Sequence, residues 1–126
     1  MTQSILEQVR IAVEAAQDKK AEAIEVLNLE SLTSITSYFV ICHGNSQRQV
    51  HAIADAVVKR LRDAKVRPAH VEGEGGADWV LMDYLDFVVH VFTRERRTFY
   101  SLEKLWSEAP RVEFPLPAPA QAGPRP

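Results

Sequence analysis

Two segments of the chain place apolar residues at the spacing of an amphipathic helix. A serine precedes each segment, with Glu7 three positions after Ser4 and Gln49 three positions after Ser46. That is the spacing of a capping box, in which both side chains bind free backbone groups of the first turn. The pattern predicts one helix that begins after Ser4 and a second from about Gln47 to Ala64. The apolar positions are Ile5, Val9, Ala12, Val13 and Ala16 in the first segment and Val50, Ile53, Ala54, Val57 and Leu61 in the second.

Five shorter apolar segments predict β-strands. The second is a continuous apolar run that ends before Gly44, which is typical of a strand buried on both faces. Only Tyr84, Leu85 and Asp86 separate the last two segments, and so short a connection predicts an antiparallel hairpin. The five segments are Ala23–Leu29, Tyr38–Cys42, Ala69–Glu72, Trp79–Asp83 and Phe87–Thr93.

The end of the domain carries a change in composition. Arg94–Thr98 predicts a basic turn, and the apolar side of Phe99–Ser107 predicts a last short helix. Prolines are frequent from Pro110 onward, and proline cannot continue a helix or a central strand. A domain of residues 1–114 is therefore expected to precede a proline-rich tail of residues 115–126. The order αββαβββα predicts a single α/β domain with a mixed five-stranded sheet and flanking helices.

Composition and charge exclude several classes of protein. The 126 residues are 46% hydrophobic and 25% charged, as in an ordinary soluble domain. A net charge of -2 argues against binding to nucleic acid by bulk charge, and we expect no sequence-specific contact with nucleic acid. No apolar run has the roughly 20 residues that a membrane helix needs, and the first residues show no signal-peptide pattern. We therefore expect a protein of the bacterial cytoplasm.

Candidate residues for metal or nucleophilic chemistry are few. None of the four histidines pairs with another at the spacing of a zinc motif. The single cysteine, Cys42, lies inside an apolar strand, where the thiol behaves as a small hydrophobic group with a raised pKa. We predict no metal, no cofactor and no nucleophilic catalysis.

A nucleotide site is a weaker alternative. Gly44 to Ser46 separates a buried strand from a helix N-terminus, where backbone donors can hold an anion. Nucleotidyltransferases pair such a segment with two carboxylates on one strand face, which bind magnesium ions about 4 Å apart. Here the candidates, Asp83 and Asp86, flank a turn instead, so the fit is poor.

Aromatic and charged residues concentrate near the end of the domain. Both tryptophans of the chain, Trp79 and Trp106, lie there among tyrosines, arginines and carboxylates. Tryptophan, tyrosine and arginine are frequent hot spots of protein interfaces. The alternative is that both tryptophans fill the core, and the pattern leaves the two interpretations open.

The segment from Tyr38 to Ser46 reads YFVICHGNS and resembles the Tyr-Phe-Val-Ile-x-x-Gly-x-Ser signature of the ribosome silencing factor (RsfS) family, also called Iojap-like. Further blocks of that family match in order at residues 71–73 (VEG), 77–83 (ADWVLMD), 89–92 (VHVF) and 100–106 (YSLEKLW). The resemblance covers about residues 6–107. Ser37 stands where the family usually has aspartate, and Leu85 where it usually has glycine. Leucine is penalised at positive φ, so Leu85 predicts a turn without it.

The resemblance implies a binding protein without chemistry. Its fold is expected to be similar to that of nucleotidyltransferases but without their catalytic residues. The family binds the large ribosomal subunit through ribosomal protein fourteen, which sterically blocks association of the two subunits and represses translation. Organellar relatives act in assembly of the large subunit, and members are often homodimers. The alternatives to repression are therefore a large-subunit biogenesis factor on the same surface or a nucleotidyltransferase-like enzyme using Ser46, Asp83 and Asp86.

We expect the strand from Trp79 to Asp83 and the helix from Tyr100 to Trp106 to form the contact surface side by side. Along that strand, Trp79, Leu81 and Asp83 share one face and Val80 and Met82 the other. Trp79 and Tyr100 are the expected aromatic anchors, and His90 is either structural or part of the site. The remaining candidates are Met82, Tyr84, Leu105 and Trp106 for an apolar patch and Asp83, Glu103 and Arg97 for polar contacts with a basic ribosomal protein.

Overall fold

The computed structural model describes residues 4–73, 78–101, 104 and 106–114, with the side chains of residues 99 and 100 outside the description. Within this part the chain forms three helices and five strands in the predicted order αββαβββα. The elements are α1 (Ile5–Asp18), β1 (Glu22–Asn28), β2 (Tyr38–Gly44), α2 (Gln47–Asp63), β3 (His70–Glu72), β4 (Trp79–Asp83), β5 (Phe87–Thr93) and α3 (Arg94–Tyr100). The predicted tail, residues 115–126, lies outside the described residues.

Serine caps fix the starts of the two long helices. The Ser4 hydroxyl accepts a hydrogen bond from the Glu7 backbone N–H, and the Ser46 hydroxyl accepts one from the Gln49 N–H, each at 3.1 Å. These bonds satisfy donors that the first turn of a helix leaves free. Both starts are confirmed as predicted.

The five strands form one mixed sheet in the order β1-β2-β5-β4-β3. β2 and β5 pair in parallel and the other neighbours are antiparallel, which confirms the predicted mixed sheet and the β4–β5 hairpin. The central place belongs to β5, whose seven residues are all buried. β2 lies beside it, and its apolar run is largely buried on both faces as predicted.

The two long helices cover one face of the sheet. Val80 and Met82 of β4 point into this core, together with alternating residues of β2 and β5. Because side chains alternate along a strand, Trp79, Leu81 and Asp83 lie on the opposite face. The alternation predicted for β4 is therefore confirmed.

The end of the domain differs from the prediction. Arg94–Tyr100 is a helix, not a basic turn, because the Thr93 side chain caps it by accepting from the Arg96 N–H at 3.4 Å. The helix stops at Ser101, which adopts a left-handed conformation with φ of 48°. The predicted helix over residues 99–107 is therefore wrong in its start, and Leu102 and Leu105 lie outside the described residues.

The turn between β4 and β5 is a second difference. Leu85 has φ of 74°, so the prediction of a turn without positive φ is wrong. The Leu85 backbone N–H donates to Oδ1 of Asp83 at 2.8 Å, and the Tyr84 N–H donates to the Phe87 carbonyl at 2.9 Å. These bonds hold the turn in a conformation that leucine itself disfavours.

Replacement of Leu85 by glycine is expected to raise the free energy of unfolding by about 1 kcal/mol, because glycine adopts positive φ without a steric penalty. Leu85 is 64% exposed, so little burial is lost. Urea unfolding of the two proteins measures the difference. Leu85→Ala keeps a Cβ atom and is the matched control, which should gain nothing. Equal stability of the glycine and alanine variants would contradict the explanation.

Candidate functional site

Aromatic rings cover the face of the sheet opposite the two long helices. Trp79 stacks on Phe92 with ring centroids 5.0 Å apart, and Phe39 meets the ring of His90 edge-on at 4.5 Å. Trp106, from the segment after α3, packs edge-on against Phe39 at 6.0 Å. We call this set the aromatic face. Both tryptophans of the chain belong to the aromatic face, and each of them is partly buried and partly open to solvent.

His90 is buried within the aromatic face. The indole N–H of Trp79 donates to Nδ1 of His90 at 3.2 Å. Because an indole nitrogen can only donate, Nδ1 accepts and the proton of the neutral ring lies on Nε2. Nε2 is buried and has no hydrogen-bond partner among the described residues. Burial lowers the pKa of His90 to about 4, so the ring is neutral at physiological pH.

The lowered pKa of His90 predicts acid sensitivity. In the unfolded protein His90 takes up a proton near pH 6.5, and in the folded protein only near pH 4, so protonation of His90 favours unfolding between these values. The contribution of neutral His90 to the free energy of unfolding is full above pH 6.5 and falls by up to about 3 kcal/mol as the pH is lowered to 4. Chemical unfolding at several pH values should therefore show a shallower pH dependence for His90→Asn, which keeps an acceptor for Trp79. Parallel curves would contradict this assignment.

An apolar groove opens in the aromatic face above the start of β5. Val88 and His90 form its floor, Phe39 and Leu81 lie on either side, and its cavity volume is about 200 Å³. Ile35 and Trp106 contribute to its walls. Ile35 is 86% exposed, which is unusual for a large aliphatic side chain and extends the apolar surface beyond the groove.

A single carboxylate marks one end of the groove. Asp83 lines the groove itself and is the only charged residue among its described lining residues. Asp86 lies outside this lining, in the β4–β5 turn, where its backbone carbonyl accepts from the Ser37 N–H at 3.0 Å. The described lining is therefore apolar apart from Asp83 and the polar side chains of Thr33, Thr36 and His90.

Two predicted contact residues lie elsewhere. Met82 is fully buried, and Tyr84 is 7% exposed with its ring stacked on Phe87. Both belong to the core beneath the long helices. This burial is a correction to the predicted set, because neither side chain is open to a partner.

Arg97 is a further correction. Its side chain is 8% exposed, and Nη1 donates to the carbonyl oxygen of Ala23 at 2.7 Å and contacts Nδ1 of His43 at 3.0 Å. Burial and the Arg97 charge lower the pKa of His43. Arg97 therefore joins α3 to β1 and β2 and is not presented at the surface.

The other predicted residues divide into two groups. Asp83 and Trp106 line the groove, and Trp79 lies on the same aromatic face, in contact with His90 of the lining. Glu103, Leu105 and the side chain of Tyr100 lie outside the described residues, so these assignments stay predictions. Because α3 ends at Tyr100, the continuous helix expected to run on to Trp106 is absent from the described chain.

Sequence reasoning missed part of the groove. Leu81 could have been found, because it shares a strand face with Trp79 and Asp83. Phe39 and Val88 were concealed inside apolar runs, which predict burial but do not show which face stays open. Ile35 lies in a polar connector, where no hydrophobic periodicity marks it as part of a surface.

The predicted nucleotide-site residues lie at opposite ends of the sheet. Ser46 lies two residues beyond Gly44, the last residue of β2, whereas Asp83 aligns through Val88 with Phe39 near the start of β2. At about 3.3 Å per residue, the strand from Phe39 to Gly44 alone spans roughly 17 Å. A metal ion held by Asp83 therefore cannot act on a phosphate bound at Ser46.

Cys42 is fully buried, and burial raises its pKa to about 12, which confirms the raised value predicted. The thiolate needed for nucleophilic attack is thus disfavoured.

The described residues hold no cluster of three or more potential metal ligands. In the same part of the chain, no helix combines the length and the apolar character needed to cross a membrane.

Comparison with known proteins identifies the family to which the chain is similar. The family model described as "Ribosomal silencing factor during starvation" matches residues 2–125. The chain is 46% identical over 108 residues to the ribosomal silencing factor RsfS of Halalkalibacterium halodurans, covering 86% of this chain and 92% of that one. It is 44% identical to the RsfS of Bacillus subtilis, covering 84% and 90%.

A more distant relative and a solved structure are also similar to the chain. A mouse protein named "Mitochondrial assembly of ribosomal large subunit protein 1" is 32% identical, covering 79% of this chain and 45% of its own length. A crystal structure of a protein from Chromobacterium violaceum superimposes with a TM-score of 0.81 at 35% identity, covering 91% of this chain and 95% of that one. The whole described fold thus has counterparts among experimental structures.

Proposed function

The chain belongs to the ribosomal silencing factor (RsfS) family, and from that membership we propose that it represses translation by binding the large ribosomal subunit. The contact is ribosomal protein fourteen, on the face that meets the small subunit. A protein bound there blocks association of the two subunits sterically. The action takes place in the cytoplasm, where the subunits meet.

The observation that carries this proposal is the groove of the aromatic face with the Asp83 carboxylate at its end. A half-buried tryptophan, Trp106, and an exposed isoleucine, Ile35, in one apolar groove are typical of the centre of a protein interface. The charge at the end of the groove selects the kind of partner. Asp83 would repel the phosphates of ribosomal RNA, whereas a basic protein surface complements it. The groove therefore favours a ribosomal protein over RNA.

We propose no catalytic activity for the chain. Ser46 accepts a hydrogen bond as the cap of α2, and Asp83 accepts one within the β4–β5 turn, so both have structural roles. The separation of these residues along the sheet argues against a shared nucleotide site. Titration with ATP or CTP in the presence of magnesium is expected to show no saturable binding.

Sedimentation of the purified protein with separated ribosomal subunits at physiological salt tests the proposed function. We expect it to pellet with large subunits only and to reduce the yield of joined ribosomes when small subunits are added. Pelleting with neither subunit, or with small subunits alone, would contradict the proposal. The same gradients report whether the free protein sediments as a homodimer, which stays a prediction.

A role in assembly of the large subunit is the second candidate, favoured by the name of the mouse relative. It uses the same surface and differs in the state of the subunit that is bound. An assembly factor is expected to bind immature large subunits more tightly than mature ones. Equal or weaker binding to immature subunits would favour repression.

A further inference from the structure

The groove ends at a carboxylate that has bonding capacity left. Oδ1 of Asp83 accepts from the Leu85 N–H at 2.8 Å, whereas Oδ2 accepts no hydrogen bond within the described part of the chain. His70, opposite Asp83 in β3, is bound instead to Glu72 at 2.7 Å. The described lining contains no lysine or arginine to neutralise Asp83.

Two polar atoms of the residues that line the groove have no hydrogen-bond partner. Nε2 of His90 and Oγ1 of Thr36 are both buried, and among the described residues neither is bonded. Both residues line the groove. Buried polar groups in native proteins are normally bonded, so the lining leaves two bonding groups unused.

The size of the groove limits that occupant to one side chain. Pockets for whole small ligands are typically about 300–1,000 Å³, whereas this groove has a volume of about 200 Å³. Its lining is apolar apart from Asp83, Thr33, Thr36 and His90. An aliphatic stem with a cation at its end matches both the apolar walls and the carboxylate.

We infer that the groove is a receptor for one lysine side chain of the protein partner, with the aliphatic stem between Phe39 and Leu81 and the ammonium group at Asp83. This inference rests on the proposed function, since the lysine is assigned to the ribosomal partner. Arginine fits less well because its planar guanidinium is wider than the ammonium group.

Hexylamine is a probe for this chemistry that requires no ribosome. Titrated into isotope-labelled full-length protein, it is expected to shift the amide resonances of Leu81 and Val88 at millimolar concentration. Hexanoate has a similar stem with the opposite charge, and ethylamine has the charge without the long stem, so both should bind at least about tenfold more weakly. Equal shifts with the three probes, or none with hexylamine, would overturn the inference.

Asp83→Asn tests the carboxylate, because asparagine keeps an oxygen for the Leu85 N–H and loses the charge. It is expected to weaken hexylamine binding at least about tenfold. Asp86→Asn removes a charge from the exposed turn outside the groove lining and is the matched control, with binding near that of wild type. If both variants lost hexylamine binding to a similar extent, the attraction would come from general surface charge and the inference would be overturned.

Sedimentation with large subunits separates failure of this inference from failure of the proposed function. If wild type and Asp83→Asn pellet equally well, the lysine receptor is wrong and the proposed function stands. If wild type does not pellet but hexylamine occupies the groove through Asp83, the proposed function is wrong and the groove chemistry stands. Loss of pelleting in Asp83→Asn but not in Asp86→Asn supports both.

Discussion

Replacement of Trp79 by alanine is expected to weaken binding to large ribosomal subunits at least about thirtyfold, which corresponds to about 2 kcal/mol. Trp79 is half-buried at the aromatic face, stacked on Phe92 and bonded to His90, so its ring is held in place before the partner arrives. A side chain fixed in this way loses little conformational entropy on binding. Quantitative sedimentation at several protein concentrations measures the change.

Two control variants separate this effect from a loss of structure. Trp79→Phe keeps a ring to stack on Phe92 and lacks the N–H donor, so it is expected to bind more tightly than Trp79→Ala. Leu6→Ala removes a 42%-exposed apolar side chain from α1, on the opposite side of the molecule, and should leave binding unchanged. If Trp79→Ala folds and binds like wild type, the aromatic face is not the contact surface.

Replacement of Arg97 by alanine is expected to lower the free energy of unfolding by about 3 kcal/mol, because buried acceptors lose a charged donor. The carbonyl oxygens of Glu22 and Ala23 lie at an irregularity of β1, where the ladder to β2 shifts register. Arg97 supplies the donor that this irregular backbone needs. Urea unfolding monitored by circular dichroism measures the loss.

Arg96→Ala is the matched control for Arg97. It removes an arginine from the same helix, but this side chain is 45% exposed and its ion pair with Asp78 is long, at 3.4 Å. Exposed pairs contribute little, so a change within about 1 kcal/mol is expected. If Arg97→Ala kept wild-type stability but failed to bind large subunits, the structural role would be wrong and a partner contact would replace it.

The sequence predicted the fold well wherever one local signal sufficed. Serine caps and helical spacing located α1 and α2, and the bounds of β4 and β5 agree with those predicted. The prediction failed at α3, because its cap is a threonine that also ends a strand, and basic residues followed where a turn was expected. At Leu85, hydrogen bonds within the turn outweighed the intrinsic preference of the residue.

The candidate site was predictable only in part, because it depends on which face of the sheet the helices leave open. Alternation along β4 places Trp79 and Met82 on opposite faces of the sheet, yet both were predicted as contact residues because they lie in the same segment. No local pattern indicates that Arg97 turns inward, since its acceptors belong to the distant strand β1. The groove joins residues of three strands and two further segments of the chain, so it exists only in the assembled fold.

The parallel pairing of β2 with β5 also constrains how the chain acquires its structure during synthesis. Tyr38 pairs with Phe87, and α2, β3 and β4 lie between them in the chain. Contacts between such distant segments form late, because the loop that joins them must first close. Until β5 has left the ribosome, β2 has a neighbour only in β1, and its other edge stays open to incorrect pairing. The nascent chain is therefore expected to need protection from aggregation until about residue 93 has emerged, at the very particle that we propose as its target.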